Sequence, residues 1–183
     1  MQAIDLLLNR FSTPQLTEPA PSSAQLEQII KAGCKVPDHG GLRPWHFTVA
    51  TGTGLQRLSD VFVNVGKTNG ADEAKLAKLA KMPFRAPLII IVSTRSVEHE
   101  KVPFQEQVIA AGCAAHAMQM ACVALGYGAM WRTGDLSYDL LVKEALNIAS
   151  KDEIVGFLYI GSAKKEVPAK PQKPIDCHIS YFL

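Results

Sequence analysis

One long stretch of small and apolar residues constrains the fold of this chain more than any other feature. From Pro103 to about Leu125, alanine, glycine, cysteine and methionine recur without an internal proline, which predicts a helix roughly 35 Å long. A helix that is apolar on all sides belongs in the middle of a core. The same small residues would also let a helix of a second chain approach closely, so the segment is compatible with a dimer.

The predicted strands and helices around this segment do not alternate regularly. Strands are predicted at 46–51, 88–92 and 154–160, with two helices between the first pair and the long helix between the second. This order favours an α+β fold over a doubly wound sheet. The 183 residues are expected to form one domain, whose C-terminal arm, residues 163–183, ends in an apolar tip that docks on its own body or on a partner.

Composition and missing motifs exclude several classes of protein. A net charge of +2 argues against a strongly basic nucleic-acid binder. No apolar run approaches the length needed to span a bilayer, and the N-terminus does not resemble a signal peptide, so a cytoplasmic location is expected. Nucleotide-binding glycine motifs and hydrolase motifs are absent from the sequence. The four cysteines lack the spacing of metal ligands, and no metal site is predicted.

Three short segments carry residues suited to an anionic or flat ligand. Arg10 and Ser12 follow the first predicted helix and suit a phosphate, although a helix-terminal arginine and a turn serine are the more usual explanation of such residues. Lys35 and His39 share a loop rich in glycine and proline, which could wrap a ligand or simply be solvated. Residues 131–134 follow a glycine-rich helix end and either present backbone N–H groups or connect two elements. Taken singly, none of these segments identifies an activity.

Taken together, the segments resemble a known family. The matching residues are Arg10-x-Ser12, VPDHGGLRPWHF at 36–47, PFRAPLIIIV at 83–92 and AAGCAAHAMQMACVALGYGAMWRTG at 110–134. Their order and spacing resemble the nitroreductase family, in particular its minimal, YdjA-like subgroup. The resemblance covers most of the chain, to about residue 161.

The resemblance implies a nitroreductase-like α+β fold, with a mainly antiparallel central sheet flanked by helices in an intertwined homodimer. It also implies non-covalent FMN at the subunit interface. Matching motifs assign FMN to Arg10, Phe11, Ser12, Lys35, His39, Trp131, Arg132, Thr133 and Gly134, and NAD(P)H to Ala121, Cys122, Val123, Ala124, Leu125 and Gly126.

Individual roles follow from the same matches. Arg10 and Ser12 would hold the phosphate and ribityl chain, while Lys35 and His39 would reach the flavin from the partner subunit. The backbone N–H groups near 133–134 would donate to flavin N5.

The chain departs from the usual motifs at two positions and leaves a third contact open. Phe11 replaces the second arginine of the usual Arg-Arg-Ser, and Lys35 stands where the family usually has arginine. Larger relatives supply a C-terminal basic residue to the phosphate, for which Lys170 and Lys173 are the candidates here.

The implied activity is hydride transfer from NAD(P)H through flavin N5 to nitroaromatic or quinone-like acceptors. No side chain is predicted to act as an obligatory acid or base, and Lys35 or Arg132 is expected to supply positive charge near flavin N1. Two alternatives stay open: a specialised flavin reductase or dehydrogenase of one metabolite, and a non-enzymatic FMN carrier or sensor.

Overall fold

The computed structural model of the chain describes residues 2–165 and 174–182. Lys170 and Lys173 therefore lie outside the described residues. The helices are α1 (Ala3–Asn9), α2 (Ser23–Gly33), α3 (Thr53–Thr68), α4 (Glu73–Lys81), α5 (Phe104–Ala124), α6 (Asp135–Tyr138) and α7 (Leu140–Ala145). The strands are β1 (Leu16–Thr17), β2 (Trp45–Thr51), β3 (Leu88–Thr94), β4 (Gly128–Arg132) and β5 (Ile154–Ala163).

The strands form one antiparallel sheet in which β5 lies between β3 and β4. Strand β2 pairs with β3, and the two-residue β1 pairs with the C-terminal end of β5, with Leu16 opposite Ala163. The predicted α+β fold is confirmed. Strand β1 was not predicted, because two residues are too short to show an alternating pattern.

Helices cover both faces of the sheet, and β3 contributes to both cores. Ile89 and Ile91 pack with α3, α4 and α7, where Phe62 and Phe157 meet edge to face at 5.5 Å. Ile90, on the other face, packs with α2 and α5. The continuous apolar run at 88–92 predicts a strand buried on both faces, and this is confirmed, since all seven residues of β3 are buried.

Helix α5 is the central helix that the sequence predicts, and it contacts α2, β3, β4 and β5. Pro103 is its N-cap, with extended backbone, rather than its first helical residue. The helix is long and apolar enough to cross a membrane by length and composition, contrary to the sequence prediction, but half of its most apolar window is buried inside the fold. Ile109 lies on a face that this single chain leaves uncovered.

Helix caps agree with the sequence prediction in one case and not in another. Ser22 three residues before Gln25 predicts a capping box, and the structure confirms it at the start of α2. The sequence also predicts Ser137 as the cap of the helix that holds Leu140 and Leu141, and this is wrong. Ser137 lies inside α6, and Asp139 caps α7 by accepting a hydrogen bond from the Leu141 N–H at 2.8 Å. A carboxylate there complements the positive end of the helix dipole better than a hydroxyl.

The end of the C-terminal arm carries large apolar side chains that the single chain does not bury. Ile175, Ile179, Tyr181 and Phe182 are all exposed, and Phe182 is exposed completely. Docking of this tip on a partner stays a prediction.

Candidate functional site

The segment after α1 runs alongside the outer edge of β4. The Thr13 N–H donates to the Ala129 carbonyl of β4 at 3.0 Å. Residues 10–12 immediately precede this contact in the chain. Segment 10–12 therefore lies near the start of β4, whereas segment 131–134 forms the end of the same strand and follows it. Ser12 is exposed there, and Arg10 is half-buried.

The end of β4 leaves its backbone open to a ligand. Gly134 has a φ of 104° and no heavy atom within 4 Å of the position that a Cβ would occupy. Only glycine adopts such a φ without strain. Thr133 and Gly134 are both exposed, so a flat molecule can approach this backbone closely.

The indole of Trp131 is held within the protein. Its Nε1–H donates to the Val155 carbonyl at 3.1 Å, and its ring lies against Gly156 of β5. It packs with the core that contains α2 and α5. Trp131 therefore anchors the end of β4 and presents at most part of its ring to the outside.

The guanidinium of Arg132 lies 5.6 Å from the centre of the Tyr159 ring, within the range of a cation–π contact. Its Nε is buried and has no hydrogen-bond partner among the described residues. Burial lowers the pKa of Arg132, and the positive charge of Arg85 lowers it further. Burial also raises the pKa of Tyr159. An unpaired guanidinium nitrogen beside a second cation is suited to an anionic or electron-rich group.

Arg85 was not identified as a site residue from the sequence. It ends the short turn Pro83–Arg85 just before β3. The segment PFRAP carried part of the family resemblance, but nothing in it indicated that this arginine would lie within electrostatic range of Arg132.

The loop after α2 is anchored to the start of α5. His39 Nδ1 lies 2.6 Å from Glu106 Oε2, in a contact that joins residues 67 positions apart. Asp38 stabilises the same loop by accepting a hydrogen bond from the Arg43 N–H at 2.7 Å. Lys35 is exposed. Glu106 was missed from the sequence because no local pattern links a helix carboxylate to so distant a histidine.

The predicted FMN residues lie near opposite ends of α5 in the single chain. His39 contacts Glu106 in the first turn, whereas Phe11 lines a cavity of about 340 Å3 with Val123 and Gly126 at the other end. At 1.5 Å per residue, these two ends are about 25 Å apart. One chain alone therefore does not bring Phe11 and His39 around one ligand.

The residues matched to NAD(P)H do not form one continuous surface. Cys122 is fully buried, and burial raises the pKa of its thiol to about 12. Ala124 and Gly126 are exposed, and Val123 is half-buried. Only part of 121–126 can therefore contact a ligand.

Within 2–165 and 174–182, no group of three or more histidine, cysteine, aspartate or glutamate side chains has the arrangement of a metal site.

Comparison with known proteins agrees with this geometry. The model of the nitroreductase family matches residues 7–162. The chain belongs to the nitroreductase family. Members of this family are oxidoreductases, and the antiparallel sheet with its exposed β4 end is the nitroreductase-like fold.

A relative in Escherichia coli K12, provisionally named NAD(P)H nitroreductase YdjA, is 47% identical over 162 residues, which are 88% of each chain. A nitroreductase-like family protein from Bacillus cereus has a similar structure, with a TM-score of 0.86 and 22% identity, covering 100% of this chain and 96% of that one. The FMN- and NADPH-dependent nitroreductase NfnB of Sphigopyxis sp. strain HMH has a TM-score of 0.75 and 18% identity, covering 100% and 99%.

Proposed function

We propose that this member of the nitroreductase family is a cytoplasmic, FMN-dependent enzyme that transfers hydride from NAD(P)H to nitroaromatic or quinone-like acceptors. The observation that carries the proposal is the open end of β4, where the exposed Gly134 backbone lies two residues from the unpaired Nε of Arg132. A flat ring that gains negative charge on reduction fits this combination of backbone donors and guanidinium charge. FMN and NADPH dependence in the name of NfnB supports the same cofactors here.

The residues present suit FMN. Arg10 and Ser12 offer a guanidinium and a hydroxyl to a phosphate, and the exposed backbone of Thr133 and Gly134 offers N–H donors to the ring. Arg132 supplies positive charge at the same edge. Bound FMN would supply the redox chemistry, while the protein would position the ring and limit its contact with water.

A homodimer would complete the site. The ends of α5 are too far apart for one chain to surround the ligand, so Lys35 and His39 are proposed to act from the partner subunit. The apolar side chains of Leu7 and Leu8 on α1 are more than half exposed, and α1 contacts α5. Contiguous exposed apolar surface of this kind marks an interaction site.

The contact between His39 and Glu106 gives His39 a defined orientation in this proposal. If Nδ1–H donates to the carboxylate, Nε2 remains free for the ligand, which is how a histidine tautomer is usually selected. Glu106 would then act as a positioning residue for a histidine that contacts FMN.

The absorption spectrum of the purified protein tests the proposed function, followed by titration with FMN if the protein is colourless. We expect a bound-flavin spectrum that bleaches under anaerobic conditions on addition of NADH or NADPH and recovers when a quinone is added. Arg10→Ala should weaken FMN binding by at least tenfold, whereas Arg57→Ala, an exposed arginine on α3, should not.

Three outcomes would change the conclusion. Failure to bind FMN even at high concentration would refute the proposal. Bound flavin that never bleaches would favour the carrier or sensor, and rapid reduction with recovery by only one acceptor would favour a specialised reductase.

A further inference from the structure

A second cavity lies directly beside the proposed flavin site. It has a volume of about 450 Å3 and is formed by α3, α4 and the segment that follows β4. Thr133 and Gly134 contribute to its lining, together with apolar residues at the α3–α4 contact such as Val65, Leu79 and Met82. A volume of this size with largely apolar walls is typical of a small-molecule site.

The charged residues of this cavity are arranged unevenly. Lys75 and Lys78 line it from α4, three positions apart on one helix face. Neither lysine forms an ion pair with any residue of the described part of the chain. Two unpaired ammonium groups beside an apolar cavity favour an anionic ligand.

Two acids line the cavity from the segment that follows β4. Asp139 is already engaged, because its two oxygens accept hydrogen bonds from the Leu141 N–H and from Asn69 Nδ2 at 2.8 and 2.6 Å. Asp135 follows Gly134 directly. Its charge disfavours an anion at the end of the cavity nearest to β4, so a ligand would direct its anionic group towards α4.

We propose that this cavity binds the anionic substituent of a molecule whose ring reacts beside Thr133 and Gly134, and that Lys75 and Lys78 determine specificity for it. The chemistry is a carboxylate or phosphate joined to a planar ring. The molecule is either an acidic acceptor or the dinucleotide donor, whose phosphates carry the same charge. The inference rests on the proposed function, because that function determines where the ring lies.

Binding to flavin-free protein tests the cavity without any redox reaction. Isothermal titration calorimetry would compare 4-nitrobenzoate with its neutral analogue 4-nitrobenzamide. We expect the wild type to bind the acid more tightly than the amide. In the double variant Lys75→Ala/Lys78→Ala, the ratio of these two affinities should fall about fivefold to tenfold, as expected for two exposed charge contacts. Lys81→Ala, an exposed lysine on the same helix that does not line the cavity, should keep the preference.

An unchanged preference in the double variant would overturn the proposal. Because this measurement needs no flavin, a failure of FMN to bind would refute the proposed function separately. Alanine is a strong helix former, so α4 should remain folded in every alanine variant, which circular dichroism would verify.

Kinetics of the flavin-loaded protein identify the source of the anion. If the acceptor is the source, the double variant raises KM for 4-nitrobenzoate about fivefold and leaves KM for 4-nitrobenzamide and NADPH unchanged. If the donor is the source, KM for NADPH rises instead. Unchanged KM values for all three compounds would overturn the assignment of this cavity to the reaction.

Discussion

Arg132 and Arg85 are two cations within electrostatic range of each other, and neither forms an ion pair with an acid within residues 2–165 and 174–182. The positive charge of Arg85 lowers the pKa of Arg132, and the Arg132 guanidinium also contacts the Tyr159 ring. Repulsion between the two guanidiniums is a cost in the single chain. An electron-rich ligand group would relieve it, and the relief would be greatest for a reduced, anionic flavin.

This reasoning predicts the redox behaviour of the bound flavin. Arg132→Ala and Lys35→Ala should each lower the flavin midpoint potential, and Arg85→Ala should do the same. A shift of about 30 mV corresponds to a loss of about 1.4 kcal/mol of preferential stabilisation for a two-electron couple. Spectroelectrochemistry would measure it, with Arg57→Ala as the control. If the potential is unchanged in both Arg132→Ala and Lys35→Ala, the prediction that one of these residues supplies positive charge near flavin N1 is refuted.

Asp152 is a buried acid whose role is structural. Its Oδ1 accepts hydrogen bonds from Thr94 Oγ1 at 2.9 Å and from the N–H and Oγ of Ser96, both at 2.7 Å. Burial alone would raise the pKa of Asp152, but these hydrogen bonds and the charge of Lys151 together lower it below the ordinary value of 3.8. The carboxylate fastens the end of β3 to the start of β5.

The lowered pKa predicts how stability depends on pH. The stabilising contribution of Asp152 should be complete above pH 3.8 and be lost as the pH falls through the lower folded pKa. Asp152→Asn should reduce the free energy of unfolding by about 1–3 kcal/mol at pH 7. Urea denaturation between pH 3 and pH 7 would measure this difference, which should shrink at the acid end. Glu144→Gln, at an exposed site on α7, is the control, and a difference that does not vary with pH would contradict the assignment.

At the scale of elements, the position of β4 depends on the contact between Trp131 and β5. The indole lies across Gly156, where an added Cβ would come within 2.2 Å of Trp131 Nε1 and 2.9 Å of the Arg132 carbonyl oxygen. The hydrogen bond to Val155 holds the indole in place. The glycine therefore allows β4 to approach β5 closely enough to set the end of the strand that carries the proposed site.

A substitution at Gly156 tests this dependence. Gly156→Ala should destabilise the protein by about 1–3 kcal/mol because the new methyl group must displace the indole or the backbone. Gly54→Ala, in the first turn of α3, meets only the Ala50 Cβ at an ordinary 3.6 Å and should be neutral or slightly stabilising. Thermal unfolding of both variants would measure the contrast. Equal melting temperatures would show that β4 tolerates a larger separation from β5.

At the scale of the whole molecule, the uncovered apolar surface is the main property that a single chain does not explain. It includes one side of α1, Ile109 of α5 and the C-terminal tip. Phe182 is completely exposed in the single chain. We expect the tip to dock on the partner subunit by adding a strand to its sheet.

Removing the tip tests this exchange between subunits. Deletion of residues 178–183 should weaken the dimer and destabilise it, and Phe182→Ser should cost about 1.5–3 kcal/mol per tip, the usual value for burying one phenylalanine. Because Phe182 is exposed in the single chain, any loss must arise through a partner. Sedimentation velocity and thermal unfolding would measure both effects. An unchanged dimer of full stability would count against the exchange.

The sequence by itself determined the elements whose patterns are long and local. The length of α5, the doubly buried β3 and the capping box at Ser22 each depend on neighbours within a turn or two along the chain, so their periodicity is visible without the fold. The family resemblance also identified the segments of the proposed site, because the order of the motifs is recognisable even where single residues such as Phe11 differ from the usual motif.

Only the tertiary structure decided which side chains meet. The contact of His39 with Glu106, the electrostatic coupling of Arg85 to Arg132 and the hydrogen bond of Trp131 to Val155 each join separate segments. Such contacts depend on strand register and on how helices pack across the sheet. A shift of one residue in β4 would turn Arg132 to the opposite face, and no local pattern records that choice.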